Sequence, residues 1–361
     1  MYKIPKYQAP DFSQERFVNS PDVKVEKVTA AGIAPDNYHA TSMYPEYFKI
    51  NGKWQLLEQT RMDCVPVIHD DGTIEAKEFR RLKLGENVIV GRVDDGSEGI
   101  YLHGCGFAGD ENSIDTFAFR SGRSRETSFQ QDYETLVDLL KHDKDNGHII
   151  WVLGPAAVFS ADAREAMEYI IDNGYAHVIF GGNAVVTHDL EGALYNTALG
   201  QDIKTRENVR NGHYNHLDAI NEINKIGSIS GAVRELGLNN GVVCSCVKND
   251  IPFVFAGSIR DDGPMAGVIN DMDEVQDAMR VHTKKATTVV CLATQLHTIA
   301  AGNLTPCYVV SDGEIRPVFI YAVDVSEFVL NKLRDRGTLE VTTIVSNIQD
   351  FLFKLKNMLQ E

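Results

Sequence analysis

From His148 onward the chain alternates short, unbroken apolar runs with stretches of helical periodicity, and this alternation restricts the fold more than any other feature. The first run is Ile149-Ile150-Trp151-Val152-Leu153 and the second Val178-Ile179-Phe180. Further runs cover residues 253–256, 287–292, 318–323 and 341–345. Helical patterns lie between or after them, near 161–173, 216–226, 274–282, 325–334 and 347–359. Continuous apolar strands separated by helices predict a parallel sheet covered on both faces. The preceding residues read differently. Short strand-like runs at 23–28, 54–57, 65–68 and 87–93 are separated by turn signals such as Asn51-Gly52 and Asp70-Asp71-Gly72. A helix is expected near 132–141. The expected division is a β-rich N-terminal domain at 1–125, a helical connector at 126–147 and a parallel-sheet α/β domain at 148–361.

In an open parallel sheet, ligands bind beyond the carboxyl ends of the strands. The residues just after each apolar run are therefore the informative ones. They are Gly154-Pro155-Ala156-Ala157, then Gly181-Gly182-Asn183-Ala184 with His188-Asp189, then Gly257-Ser258-Ile259-Arg260-Asp261-Asp262-Gly263-Pro264, then Ala293-Thr294-Gln295-Leu296-His297, and finally Asp324. Gly and small residues there allow close backbone approach, and helix N-termini behind them favour phosphate. No G-x-G-x-x-G is present. Each cluster taken alone is equally readable as an ordinary strand-to-helix turn. Asp324 reads either as an N-cap or as the acid that hydrogen-bonds a ribose hydroxyl.

Arg260, Asp261 and Asp262 bring three charges into one turn. They are either a solvated turn or a substrate clamp, in which Arg binds a carboxylate bidentately and Asp holds an ammonium or takes its proton. Lys248 follows the apolar stretch 242–247 and is either a surface lysine ending a helix or a base. His188 and His297 are structural or catalytic. His213 and His216 are one helical turn apart, without a carboxylate or thiol at matching spacing, so no metal site is expected.

Composition narrows the class. Of 361 residues, 35 are Lys or Arg and 51 Asp or Glu, a net charge of −16. With no long basic run, a nucleic-acid surface is not expected. No apolar run reaches membrane-spanning length, and the N-terminus lacks a signal-peptide core. Six cysteines are too sparse for a disulfide scaffold and are read as buried thiols of a reduced cytoplasm.

The motifs then converge on a known family. Gly182-Asn183-Ala184 with His188-Asp189-Leu190-Glu191 resembles a signature of the LOR/SDH-related family, which includes archaeal-type ornithine cyclodeaminases and the C-terminal module of cyanobacterial arginine dihydrolases. The resemblance continues at 216–221 and 227–233. It is densest from Val247 to Pro264 and resumes at Gln276-Asp277-Ala278-Met279-Arg280, Leu292-Ala293-Thr294, Leu296-His297 and Val323-Asp324-Val325. It implies a Rossmann-like NAD-binding domain of the deoxyhypusine-synthase type, bound NAD, and conversion of L-ornithine to L-proline and ammonia by transient hydride transfer. Candidate catalytic residues are Lys248, Arg260, Asp261, Asp262 and His297. Candidate cofactor residues are Gly154, Pro155, Gly182, Asn183, Ala184, Asp189, Ser258, Thr294, Leu296 and Asp324. The alternatives are an amino-acid or opine-type dehydrogenase and a non-catalytic nucleotide-binding regulator. Expected partners are an amino-acid substrate and further copies of the chain, with no nucleic acid and no membrane.

Overall fold

A computed structural model describes residues 3–107, 129–259, 261, 263–311, 313–334 and 340–361. Six of the apolar runs form one parallel sheet: β1 (Ile149–Leu153), β2 (Val178–Gly182), β3 (Phe253–Ala256), β4 (Thr288–Leu292), β5 (Phe319–Asp324) and β6 (Glu340–Val345). Their spatial order is β3-β2-β1-β4-β5-β6. The chain thus builds outward from β1 to one edge, then returns to the other side of β1. β1 and β4 pair in register from Ile149 opposite Thr288 to Leu153 opposite Leu292. The order reverses between these two strands, and the crevice above them is the topological switch point.

The unbroken apolar character of the strands follows from burial on both faces. Trp151, Leu153, Ile179, Val290 and Leu292 pack into a large core with the helices Ala161–Asp172, Asn183–Tyr195 and Ile348–Gln360. Ile150, Val152, Phe180, Val289 and Cys291 face the opposite side, toward Met272–Thr283 and Gln295–Leu304. The helix Gln130–Asn146 places Leu136, Leu139 and Leu140 in the first of these cores. Its Asp143 is fully buried and accepts from Thr287 (2.6 Å), Thr288 (2.8 Å) and Arg316.

The N-terminal part is a small antiparallel β region. One sheet runs Lys24–Lys27, Asn87–Val90, Val65–Ile68, Ile74–Lys77, and the other Lys53–Leu56, Glu46–Ile50, Ile100–Leu102. It is joined to the α/β part by ion pairs Arg80–Asp273 and Arg81–Asp277, and by Arg61 donating to Gln276 at 3.0 Å. Five cysteines are buried; Cys105 is exposed, against the expectation for all six. Among the described residues no helix is long and apolar enough to cross a membrane.

Candidate active site at the carboxyl edge of the sheet

The switch point is tightly built. The Gly154 amide donates to the Leu292 carbonyl at 2.6 Å, and the Ala293 amide donates to Val323 at 3.0 Å, stitching β1, β4 and β5 together where they end. A Cβ on Gly154 would collide with the Ala293 carbonyl oxygen, so only glycine fits. Ala293 itself has a left-handed backbone, φ 49°, an uncommon conformation for a residue with a Cβ. This turn aims Thr294 and the N-terminus of the helix Gln295–Leu304 into the crevice.

His297 lies in the first turn of that helix, with Nδ1 3.1 Å from the Thr294 hydroxyl. Its ring reaches across to the end of β2, where a Cβ on Gly182 would approach the imidazole Cε1 to 2.9 Å. Gly154, Gly182, Thr294 and His297 therefore share one floor. Asn183 and Ala184 open the helix Asn183–Tyr195, and the Asn183 side chain accepts from the Met265 amide at 3.1 Å, tying the loop after β3 over this helix end. Pro155 opens a short 3-10 turn, and Leu296 is exposed.

Asp324 closes β5. One carboxylate oxygen accepts from the Ser326 amide at 2.8 Å, and the residue lines a small cavity with Ala293 and Thr294. After β3, the Ser258 amide donates to the Asp261 carboxylate at 2.6 Å, so Asp261 folds back on its own turn. Arg260 and Asp262 lie outside the described residues.

Two candidates are not at this floor. Lys248 ends the helix Val242–Lys248, which precedes β3, and so stands at the amino edge of the sheet. There it is exposed and paired with Asp172 at 3.1 Å. Asp189 is fully buried: it pairs with Arg164 at 3.0 Å and accepts from the Val242 (3.1 Å) and Val243 (2.8 Å) amides. Its charge is consumed in capping a helix and neutralising a buried arginine. His188 is likewise turned to structure, paired with Glu191 at 2.7 Å, while Thr197 donates to Glu191 and Asn215 to Thr197. Among the described residues no group of three or more His, Cys, Asp or Glu could hold a metal.

Sequence reasoning placed Ala293 among the residues that follow a strand but did not name it a site residue. Gly257 likewise stood in a strand-end cluster but was not named a site residue; a Cβ there would strike the Asn270 side chain.

The family described as arginine dihydrolase ArgZ-like, C-terminal, Rossmann fold matches residues 134–355, and its companion first region matches 45–124. The chain belongs to the ArgZ-like C-terminal family. Among its relatives is the ornithine cyclodeaminase of Methanopyrus kandleri, 38% identical over 343 residues, covering 94% of this chain and 78% of the relative. The crystal structure of an LOR/SDH protein from Methanococcus maripaludis S2 superposes with a TM-score of 0.83 at 32% identity, covering 94% of this chain and 98% of that one. AgrE, a bifunctional arginine dihydrolase/ornithine cyclodeaminase of Nostoc sp., is 34% identical over 344 residues, 94% of this chain and 47% of AgrE. Its ternary complex with ornithine and NAD+ superposes with a TM-score of 0.58 at 31% identity, covering 95% of this chain and 46% of that one. The chain thus spans about half of AgrE and most of the archaeal ArgZ-like relatives.

Proposed function

We propose that this chain is an NAD-dependent ornithine cyclodeaminase that converts L-ornithine to L-proline and ammonia. The observation that carries the reading is the alignment of 95% of the chain with AgrE in a form crystallised with ornithine and NAD+ together. The crevice suits a dinucleotide on its own geometry. Side chains are missing at Gly154 and Gly182 where any Cβ would crowd the floor, two helix N-termini point into it, and Asp324 and Thr294 offer polar groups at its β4–β5 side.

When bound, NAD supplies a two-electron acceptor that returns the same electrons, so ring closure needs no net oxidation. The protein's residues do the rest. Gly154, Pro155, Gly182, Asn183, Ala184, Ser258, Thr294, Leu296 and Asp324 form the proposed cofactor surface. Thr294 orients His297, which is proposed to move a proton at the substrate amine. By their chemistry, Arg260 is assigned to the substrate carboxylate and Asp261 and Asp262 to amine protons. The assembly assigned to this chemistry is 148–361, with 126–147 as connector and 1–125 as the β-rich domain.

The test uses L-ornithine deuterated at Cα. Cyclodeamination yields proline and ammonia in equal amounts, keeps the label at proline Cα, and leaves NADH absorbance flat. NADH accumulating in step with product would replace this reading with a dehydrogenase.

A further inference from the structure

A second cleft lies away from the strand ends. It has a volume of about 1180 Å³ and separates the β-rich region from the helix Met272–Thr283. Many charges line it, and most are already spoken for. Glu78 pairs with Arg61 and Arg81, Asp277 with Arg81, and Glu75 with His69. Among the described residues, Arg280 and Lys284 on the helix side, and Lys53 and Glu58 on the sheet side, form no ion pair or side-chain hydrogen bond. Asp71, also in the lining, accepts from the Thr73 amide and hydroxyl, so the cleft keeps three cations without a partner, Arg280, Lys284 and Lys53, beside the one carboxylate without a partner, Glu58.

Arg280 is the most telling of these. Its neighbours Arg61, Arg80 and Arg81 all have carboxylate or amide partners, whereas its own Nη1 is buried and unsatisfied. Burial lowers its pKa from the usual arginine value; Cys64, Glu75 and Asp277 act against this, and Arg81 adds to it. A half-buried guanidinium without a partner costs stability unless an anion supplies one. Lys284 follows one helical turn later, so the two cations project from the same side of the chain end.

We propose that this cleft is a binding site for an acidic amino acid, separate from the crevice at the carboxyl edge of the sheet. The two carboxylates of such a ligand match Arg280 with Lys284 and Lys53, and its ammonium matches Glu58. A guanidinium fork takes a carboxylate through two parallel hydrogen bonds, which gives the site its selectivity over monovalent halides. A ligand held there bridges the β-rich region to the helix that follows the loop at 257–271.

Calorimetric titration of the full chain with L-glutamate and L-aspartate tests this, with glutarate and inorganic phosphate as parallel probes. Saturable binding of an acidic amino acid is expected. Arg280→Met should weaken it at least about tenfold, the loss of one charge-assisted pair, while NAD affinity is unchanged. Glu58→Gln lies on an exposed residue and serves where Arg280→Met fails to fold. It should remove the preference for L-glutamate over glutarate. No saturable binding of either acidic amino acid overturns the proposal. So does binding that survives both substitutions, or phosphate binding without amino-acid binding.

Discussion

Gly154 and Ala293 meet across the reversal point of the sheet so closely that the carbonyl oxygen of one occupies the space a Cβ on the other would need. The contact joins β1 to β4 at the place where the crevice opens, and the 2.6 Å bond from the Gly154 amide to Leu292 fixes it. Gly154→Ala must push the two strand ends apart. A destabilisation of about 1–3 kcal/mol is expected from overpacking, with a larger proportional loss of NAD affinity. Thermal melting and calorimetry on the same preparation separate the two effects. Wild-type NAD affinity in this variant would remove the crevice from the cofactor path.

Asp189 gives the opposite pattern. Its carboxylate serves Arg164 and two helix amides, all buried. Asp189→Asn leaves the Arg164 charge uncompensated, a change that costs about 3–5 kcal/mol in buried pairs. Per folded molecule, NAD affinity should stay at the wild-type value. A selective loss of NAD affinity with unchanged melting would return Asp189 to the cofactor surface.

The amino edge of the sheet carries a stack of three imidazoles. His148 lies between His177 (5.6 Å between ring centres) and His282 (5.5 Å). Burial, with Lys285 and the other two rings adding to it, depresses the His148 pKa from 6.5 to about 3. His177 and His282 are lowered as well, chiefly by burial, although Asp143 and Asp145 act against this at His177. A base whose pKa is depressed by folding is neutral in the native state and takes up its proton on unfolding. Stability is therefore full above about pH 6.5 and lost as the pH falls toward 3. Urea titrations at several pH values should show this decline, and His148→Gln should flatten it. An unchanged slope in that variant would place the acid sensitivity elsewhere.

How much of this was readable in advance depends on what each residue's neighbours are. The six core strands were legible because burial on both faces demands unbroken apolar runs. The strand Glu46–Ile50 was not, because two of its five residues are charged. Lys49 is nonetheless buried, donating to the carbonyls of Phe17, Val18 and Ser20, and Glu46 is buried against His39 and the Ser42 amide. Those partners are remote or conformational, so no local pattern announces them. Asp189 is similar: it stood in a promising motif, but its partners are 25 and more than 50 residues away. Lys248 was different. The apolar stretch it follows, 242–247, is a helix and not a strand, and the end of a helix that leads into a parallel strand stands at the amino edge. Gly154, Gly182, Thr294 and His297 follow their strands, and the fold brings them to one floor.

The cofactor role proposed for Asp324 predicts a preference between the two dinucleotides. Its carboxylate ends β5 beside Thr294, with one oxygen held by the Ser326 amide. A carboxylate there accepts from ribose hydroxyls and repels a 2′-phosphate, so NAD should bind more tightly than NADP. Asp324→Asn keeps the bond from Ser326 but removes the charge, and the gap between the two cofactors should narrow by about tenfold or more. Equal affinities in the wild type would sink the role given to this residue.

The Thr294–His297 contact offers the most direct test of proton handling. Thr294→Val preserves shape and the branched Cβ but deletes the hydroxyl that meets Nδ1 at 3.1 Å. If His297 moves a proton during turnover, the loss of that bond removes one of the contacts that orient the ring. Turnover should fall by about ten- to a hundredfold, in the range of general acid–base contributions, and the acidic limb of the pH–rate profile should shift. NAD binding should change by much less, since the backbone that caps the helix Gln295–Leu304 is untouched. His297→Gln should show a deeper loss and no histidine limb at all. The two variants together decide the matter. A profile that keeps its limb in His297→Gln assigns the titration to another group, and equal activity in Thr294→Val and wild type leaves the hydroxyl without a catalytic part.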